Sequence, residues 1–234
     1  MNFDVIVPCY GACEGIALTL DSIQKQTYSN PQIHVCFDSV DPDSERGFIN
    51  EYRDADNISF YLSEPRRLFA LENILRVLDS LSEDSIIGIV DCGDFLFRRD
   101  CLSLVESGYS DRVKCVWTAH QWDKNGMNQS GPLNDSISPY SQRWASSHFR
   151  TFLYSYYVRV NRKNFLDDEG VFFKRTYDQA LMLPIIHLVL ADGFNTKYID
   201  EVCYIYRGNY EPLGEDNRYQ LRLEQFIRER GYVE

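Results

Sequence analysis

A single stretch, Ser85-Ile-Ile-Gly-Ile-Val-Asp-Cys-Gly-Asp-Phe-Leu-Phe97, constrains this chain more than any other. Ile86, Ile87, Ile89 and Val90 are β-branched and apolar, with only Gly88 between them. That is the pattern of a strand buried on both faces, as in a parallel sheet. The strand runs straight into Asp91, Cys92, Gly93 and Asp94. Two carboxylates at the carboxyl end of a buried strand are costly to bury without a partner, and in open α/β sheets that end is where ligands bind. A hard divalent cation bridging two phosphates would satisfy both, so Asp91 and Asp94 are candidate metal ligands. The competing reading is that they only cap a helix over Arg98 to Ser107, which explains one acid better than two.

The residues before this stretch alternate between strand and helix. Phe3 to Val7 is an apolar run ended by Pro8, Tyr10 and Gly11, read as a first strand and a tight turn. A helix follows from about Glu14 to Gln26, with Ile16, Leu20 and Ile23 on one face. Ile33 to Phe37 is a second strand stopped by Asp38, and the polar loop after it opens a helix that Asp43 or Ser44 would cap. Ile58 to Leu62 is a third strand, and Leu68, Leu71, Leu75, Leu78 and Leu81 make an apolar helical stripe. Such alternation demands a parallel sheet with right-handed crossovers. It gathers the ends of strands one, two and four at one crevice, where Tyr10, Asp38 and Asp91 would stand together as a nucleotide-sized pocket.

Charge and cysteine content narrow the function. The formal net charge of -11 argues against steering toward a nucleic-acid backbone, so no nucleic-acid partner is expected. A local pair such as Arg66-Arg67 could still receive phosphates, against the alternative of solvated or ion-paired side chains. Neither G-x-G-x-x-G nor G-x-x-x-x-G-K-[ST] occurs, so dinucleotide and P-loop readings lose support. The 7 cysteines include no C-x-x-C pair, and Cys9, Cys36 and Cys203 lie in apolar runs, as thiols in a reducing compartment do. No signal peptide and no membrane-spanning run of about 18 apolar residues is visible, so a cytoplasmic location is expected.

The second part of the chain is built differently. Val113 to Thr118 reads as a strand, and residues 120–147 form a polar stretch containing Trp122 and Trp144, too long for a plain connector and a candidate lid. His148 to Tyr157 is aromatic-rich. A helical run from Asp178 to Leu190 contains Pro184, which should kink or divide it. Tyr198 to Tyr206 reads as a last strand, with Tyr204 and Tyr206 as core or wall residues, and Leu213 to Gly231 as a terminal helix. The expected organisation is one continuous globular domain with a nucleotide half over 1–119 and an acceptor half over 120–234.

Taken together, these segments resemble the family 2 glycosyltransferases of the GT-A fold. Val5-Ile-Val-Pro-Cys-Tyr10 looks like the family's first strand and nucleotide-binding turn, Val35-Cys-Phe-Asp38 like the strand whose terminal acid meets the uracil, and Asp91-Cys-Gly-Asp94 like its D-x-D region. Ser147-His-Phe-Arg-Thr-Phe152, Tyr177-Asp-Gln-Ala-Leu-Met-Leu-Pro184 and Tyr204-Ile-Tyr206 look like a bacterial and phage-like branch of it. The resemblance implies a Rossmann-like α/β fold with a mostly parallel central sheet flanked by helices. It also implies a UDP-sugar donor, Mn²⁺ or Mg²⁺ as cofactor, and a saccharide or lipid-linked acceptor, with a peripheral membrane association where the acceptor is a lipid. The setting implied is cytoplasmic polysaccharide biosynthesis.

By the same resemblance Pro8, Tyr10, Asp38, Arg67 and Asp91 bind the nucleotide, Asp91 and Asp94 the metal, and His148 and Arg150 the diphosphate or the acceptor. Asp178 is the implied base that deprotonates the acceptor hydroxyl, with inversion at the anomeric carbon. An N-cap role is the plainer reading of Asp178, and a turn role that of Asp38. His148 as a packed histidine stands beside its ligand reading. The sequence departs from the family at Gly11, at Ser39, at Gly93 and at His187, where Asn, an acid, an acid and Glu are usual. With Gly93 at the third position, either Asp94 takes over the metal or metal binding is weakened. The alternative is a degenerate module that binds nucleotide or glycan without catalysis. Nucleotidyl transfer is disfavoured by the lack of basic residues at 9–16, and sugar transfer onto modified DNA bases by the acidic balance.

Overall fold

The computed structural model describes residues 1–11, 15–82, 84–208 and 215–234. Its first part alternates as β1 (Phe3–Tyr10), α1 (Ile16–Gln24), β2 (Gln32–Asp38), α2 (Pro42–Glu51), β3 (Ile58–Tyr61), α3 (Phe69–Leu78) and β4 (Ile86–Ile89). The start expected for the first helix at Glu14, and that expected for the terminal helix at Leu213, lie outside the described residues. The second part adds β5 (Phe95–Leu96), α4 (Cys101–Glu106), β6 (Val113–Trp122), β7 (Arg150–Leu153), α5 (Tyr154–Tyr157), α6 (Tyr177–Ala191), β8 (Asn195–Tyr206) and α7 (Glu215–Arg230). The strands form one eight-stranded sheet in the order β3-β2-β1-β4-β7-β6-β8-β5. The family's α/β fold, with helices flanking a mixed and largely parallel sheet, is therefore present.

Strand directions decide what meets at the rim. β1, β2, β3 and β4 are mutually parallel. β7 runs against both β4 and β6, and β8 runs parallel to β6. The carboxyl ends of β1, β2, β4, β6 and β8 therefore share one rim with the start of β7. Every β-branched residue from Ile86 to Val90 is buried, as the run predicts. Gly88 is needed there because a Cβ would come within 2.7 Å of the Phe149 ring.

Several local expectations are corrected. β1 runs on to Tyr10, with Pro8 lying beyond the last β1–β4 pair, Ile6 with Ile89, where its missing N–H breaks no ladder between those two strands. The cap of α2 is Asp41, not Asp43 or Ser44. Pro42 fixes the first helical position, and the extended Asp41 accepts from the Asp43 and Ser44 amides at 2.9 and 3.4 Å. α6 runs unbroken across Pro184. Its surroundings hold it, since Ala180, Leu181, Leu183, Ile185 and Ile186 are all buried. β5 and β7 are short strands that periodicity did not reveal.

The stretch 120–147 lines no part of the cleft described below. Its first three residues finish β6, and Gly131 O accepts from Trp117 Nε1 at 2.9 Å. Arg228 on α7 donates to Tyr140 O at 3.2 Å and to Gln142 O. The boundary expected at 119/120 falls inside β6. No helix among the described residues is long and apolar enough to cross a membrane.

Candidate active site

A cleft of about 880 Å³ opens at the shared rim. Pro8, Tyr10, Asp38, Arg67, Asp91, Asp94, His148, Arg150 and Asp178 all line it, so every site residue singled out from the sequence stands in one place.

The wall at β1 and β2 is organised by Asp38. Its two carboxylate oxygens accept from the Leu68 and Phe69 amides at 3.0 and 2.9 Å. Phe69 is held at φ 61°, a left-handed conformation that a bulky residue rarely adopts unaided. The turn brings the Arg67 guanidinium 3.8 Å from the Tyr10 ring centroid and 4.1 Å from that of Phe69, while its Nε lies 3.7 Å from Asp38. Arg67 is thus layered between two rings, and Tyr10 remains 58% exposed with its ring free to face the cleft. Asp38 is both a turn acid and a cleft residue. Arg66 instead pairs with Glu72.

The turn from Asp91 to Asp94 forms the floor. Neither acid caps α4, whose N-cap is Asp100. Gly93 has φ 97° and Gly15 φ 90°, and a Cβ on Gly15 would stand 3.0 Å from Gly93 Cα. An acid at position 93 would meet a backbone conformation that L side chains avoid, so it would be strained in this turn. Thr19 of α1 locks the turn, its hydroxyl donating to Asp94 O at 2.6 Å and accepting from Gly93 N at 2.9 Å. The Tyr204 hydroxyl joins the two acids, accepting from Asp91 N at 3.1 Å and donating to Asp94 Oδ2 at 2.7 Å. The Arg207 amide donates to Asp94 Oδ1 at 2.7 Å.

The start of β7 brings Arg150 to the same floor, and His148 stands two residues before that strand. Arg150 donates from one terminal nitrogen to Asp91 Oδ2 at 3.3 Å and to the Tyr177 hydroxyl, and from the other to Ser147 O. Tyr177 in turn donates to Asp91 Oδ1. His148 Nε2 lies 3.6 Å from Asp91 Oδ2, and its ring packs 4.8 and 5.2 Å from those of Tyr204 and Tyr206. Behind it His120 is buried, 5.0 Å away ring to ring, with Nδ1 on Ser130 at 3.0 Å.

The electrostatics follow from this packing. Burial opposes charge on Asp91, but His148, Arg150 and Tyr177 outweigh it and hold the carboxyl below its ordinary range. At Asp94 the Arg207 amide, Tyr204 and Arg150 favour the carboxylate but do not prevail. Burial, and then the charge of Asp91, push it up to about 7. Burial pushes His148 down, so its imidazole is neutral at physiological pH, and burial with His148 and Arg150 drives His120 down to about 3.

Asp91, Asp94 and His148 each offer one ligand atom, all within 4.8 Å of one another. Two carboxylates and a neutral imidazole are a donor set that suits Mn²⁺. The residues fit a divalent metal. His148 is thereby a candidate ligand, a possibility the sequence left open.

Asp178 stands in the first turn of α6, whose N-cap is Thr176, so it is not a cap. Sequence reasoning assigned no role to Tyr177, Thr19, Lys174 or Arg207, the last two being further cleft cations. Tyr204 was expected only as core or wall. His187 lies outside the cleft, stacked on Tyr232 at 4.4 Å.

Comparison with known proteins follows the same direction. The chain superposes on S. aureus TarS with TM-score 0.65 and 17% identity, over 96% of this chain and 39% of that one. It thus spans about two fifths of that protein. S. aureus TarS 1-349 in complex with UDP-GlcNAc gives 0.63 at 16% identity, over 100% of this chain and 68% of that one. The mannosyltransferase PcManGT from Pyrobaculum calidifontis, in complex with GDP-Man and Mn²⁺, gives 0.56 at 15% identity, over 96% and 60%. Among curated proteins nothing matches. The family model for glycosyl transferase family 2 matches residues 4–170, well over half of the sequence, and the chain belongs to that family.

Proposed function

We propose that this protein transfers a sugar from a UDP-sugar to a hydroxyl of a saccharide or lipid-linked acceptor, with inversion at the anomeric carbon. The observation that carries the reading is the meeting of three groups in one cleft: the Tyr10–Arg67–Asp38 wall, the Asp91–Asp94–His148 cluster, and Asp178. The fold neighbours bound to UDP-GlcNAc and to GDP-Man with Mn²⁺ support a nucleotide-sugar donor.

In this reading Tyr10, backed by Arg67, presents a flat face to the base, and Asp38 holds the turn that keeps them there. Asp91, Asp94 and His148 would hold a divalent cation, which supplies neutralisation of the charge that builds on the leaving diphosphate. Lys174 and Arg207 add positive charge to the same cleft. The acceptor oxygen attacks the anomeric carbon, and its proton passes to the Asp178 carboxylate. The bond from that carbon to the diphosphate oxygen breaks, its electron pair leaving with UDP. Donor residues come mainly from 1–119 and acceptor residues from 120–234, with His148 and Arg150 reaching across. Polysaccharide biosynthesis in the cytoplasm, with contact to a membrane surface where the acceptor is lipid-linked, is the setting we favour. Free thiols at Cys36, Cys101, Cys115 and Cys203 are consistent with it.

One observation favours a binding module instead: Asp91 and Asp94 already carry protein donors on both oxygens. A panel of UDP-sugars with Mn²⁺ decides between the two. Turnover that falls at least a hundredfold in Asp91→Ala and in Asp178→Asn supports transfer. UDP binding indifferent to Mn²⁺, with no turnover, supports the module.

A further inference from the structure

Tyr177 is the first residue of α6 and the immediate neighbour of Asp178. Its hydroxyl spans the cleft floor, donating to Asp91 Oδ1 and accepting from Arg150. Arg150 also lies 4.9 Å over the Tyr177 ring, and that guanidinium is fully buried on β7. The turn that delivers Tyr177 is constrained from the other side, because Thr176 is buried and held at φ 58°. Packing alone would be served by a phenyl ring. A hydroxyl set on a carboxylate that also faces the metal cluster is a different device, because it competes with a cation for Asp91 while anchoring the start of α6.

We propose that Tyr177 is a positioning residue, its hydroxyl tying the first turn of α6 to Asp91 and so fixing where the Asp178 carboxylate stands relative to the cation site. The proposal rests on the transferase reading for the role of Asp178, whereas the tie to Asp91 does not. Removing the hydroxyl therefore has two effects of opposite sign. It frees one Asp91 oxygen, so Mn²⁺ binds more tightly, and it loosens α6, so proton abstraction slows. A small misplacement of a catalytic group costs on the order of a hundredfold in rate.

The test is Tyr177→Phe, which keeps the ring over Arg150. Mn²⁺ affinity is read by electron paramagnetic resonance in the presence of UDP, and transfer by steady-state kinetics. We expect Mn²⁺ affinity to rise about three- to tenfold while kcat falls about ten- to a hundredfold. In an Asp178→Asn background the same change should leave the residual kcat untouched while still raising Mn²⁺ affinity. A fall in both quantities together, as a general loss of structure would give, overturns the proposal, and so does no change in either. Wild-type protein that binds UDP and Mn²⁺ but transfers no sugar overturns the transferase reading, while the Mn²⁺ arm still reports on the tie. Should Tyr177→Phe fail to fold, Thr176→Gly keeps the Tyr177 hydroxyl and removes the side chain that restricts the turn together with its 3.4 Å bond to Gln220 O: kcat should fall with Mn²⁺ affinity unchanged, and an unchanged kcat refutes the positioning role.

Discussion

Cation binding should be coupled to one proton, that of Asp94. In the metal-free protein this carboxyl titrates near 7 in place of 3.8, chiefly through burial and the neighbouring charge of Asp91. The folded state therefore binds more protons than the unfolded state between those two values. Stability falls as pH rises across that window, by up to ~4 kcal/mol, and the whole cost is in place above pH 7. Mn²⁺ takes only the ionised form, so its affinity should drop about tenfold per pH unit below 7, or about 30-fold from pH 8 to pH 5.5. His148 and Asp91 are both held below their ordinary values, so Asp94 is the group raised into this window. Titration calorimetry with Mn²⁺ added to the protein without UDP, whose own phosphate titrates at about 6, in two buffers of different ionisation enthalpy, reads the proton directly. The expected release is about 0.9 proton at pH 6 and about 0.1 at pH 8, abolished in Asp94→Asn. Release near zero at both pH values, or a slope that survives in Asp94→Asn, would refute the reasoning.

Three further perturbations test the frame around the site. Asp38→Ala strips the acceptors from the Leu68 and Phe69 amides and should cost about 2–4 kcal/mol in urea unfolding, with Asp38→Asn costing less. Tyr204→Phe removes a hydrogen bond that favours ionised Asp94. The midpoint of the Mn²⁺ proton-release curve should move above 7, with about 1–2 kcal/mol lost because Asp91 N also loses its acceptor. Gly88→Ala drives a methyl toward the Phe149 ring and should cost about 1–3 kcal/mol in thermal unfolding through overpacking. A neutral result in any of these would contradict the packing or hydrogen bonding described.

The parallel half of the fold was legible because its strands are short β-branched runs, and parallel strands bring their carboxyl ends together whatever the loops do. Tyr10, Asp38 and Asp91 could be placed in one crevice on that ground alone. The other half was not legible in the same way. β7 pairs between β4 and β6 in the reverse direction, and nothing in the aromatic run around it signals a reversal. Arg150 and His148 were named from resemblance and side-chain chemistry, without a strand to place them, for that reason. The hydroxyls of Thr19, Tyr177 and Tyr204 reach their partners across 74 to 113 residues of sequence, which local pattern does not encode. Gly93 suggested a lost ligand, because sequence shows a missing carboxylate and not the left-handed backbone that excludes it. Residues 120–147 read as a lid from their polarity, yet much of that polarity is spent on fixed internal bonds such as Ser130 to His120 and Gln142 to Asn134 and Ile137.

Anomalous diffraction from a crystal grown with UDP and Mn²⁺ asks most directly whether a cation held by acids at this rim grips a nucleotide diphosphate. The account predicts a manganese peak between Asp91, Asp94 and His148, with the uracil against Tyr10 and Arg67. A peak outside that cluster, or a base bound away from the Tyr10 wall, would contradict it.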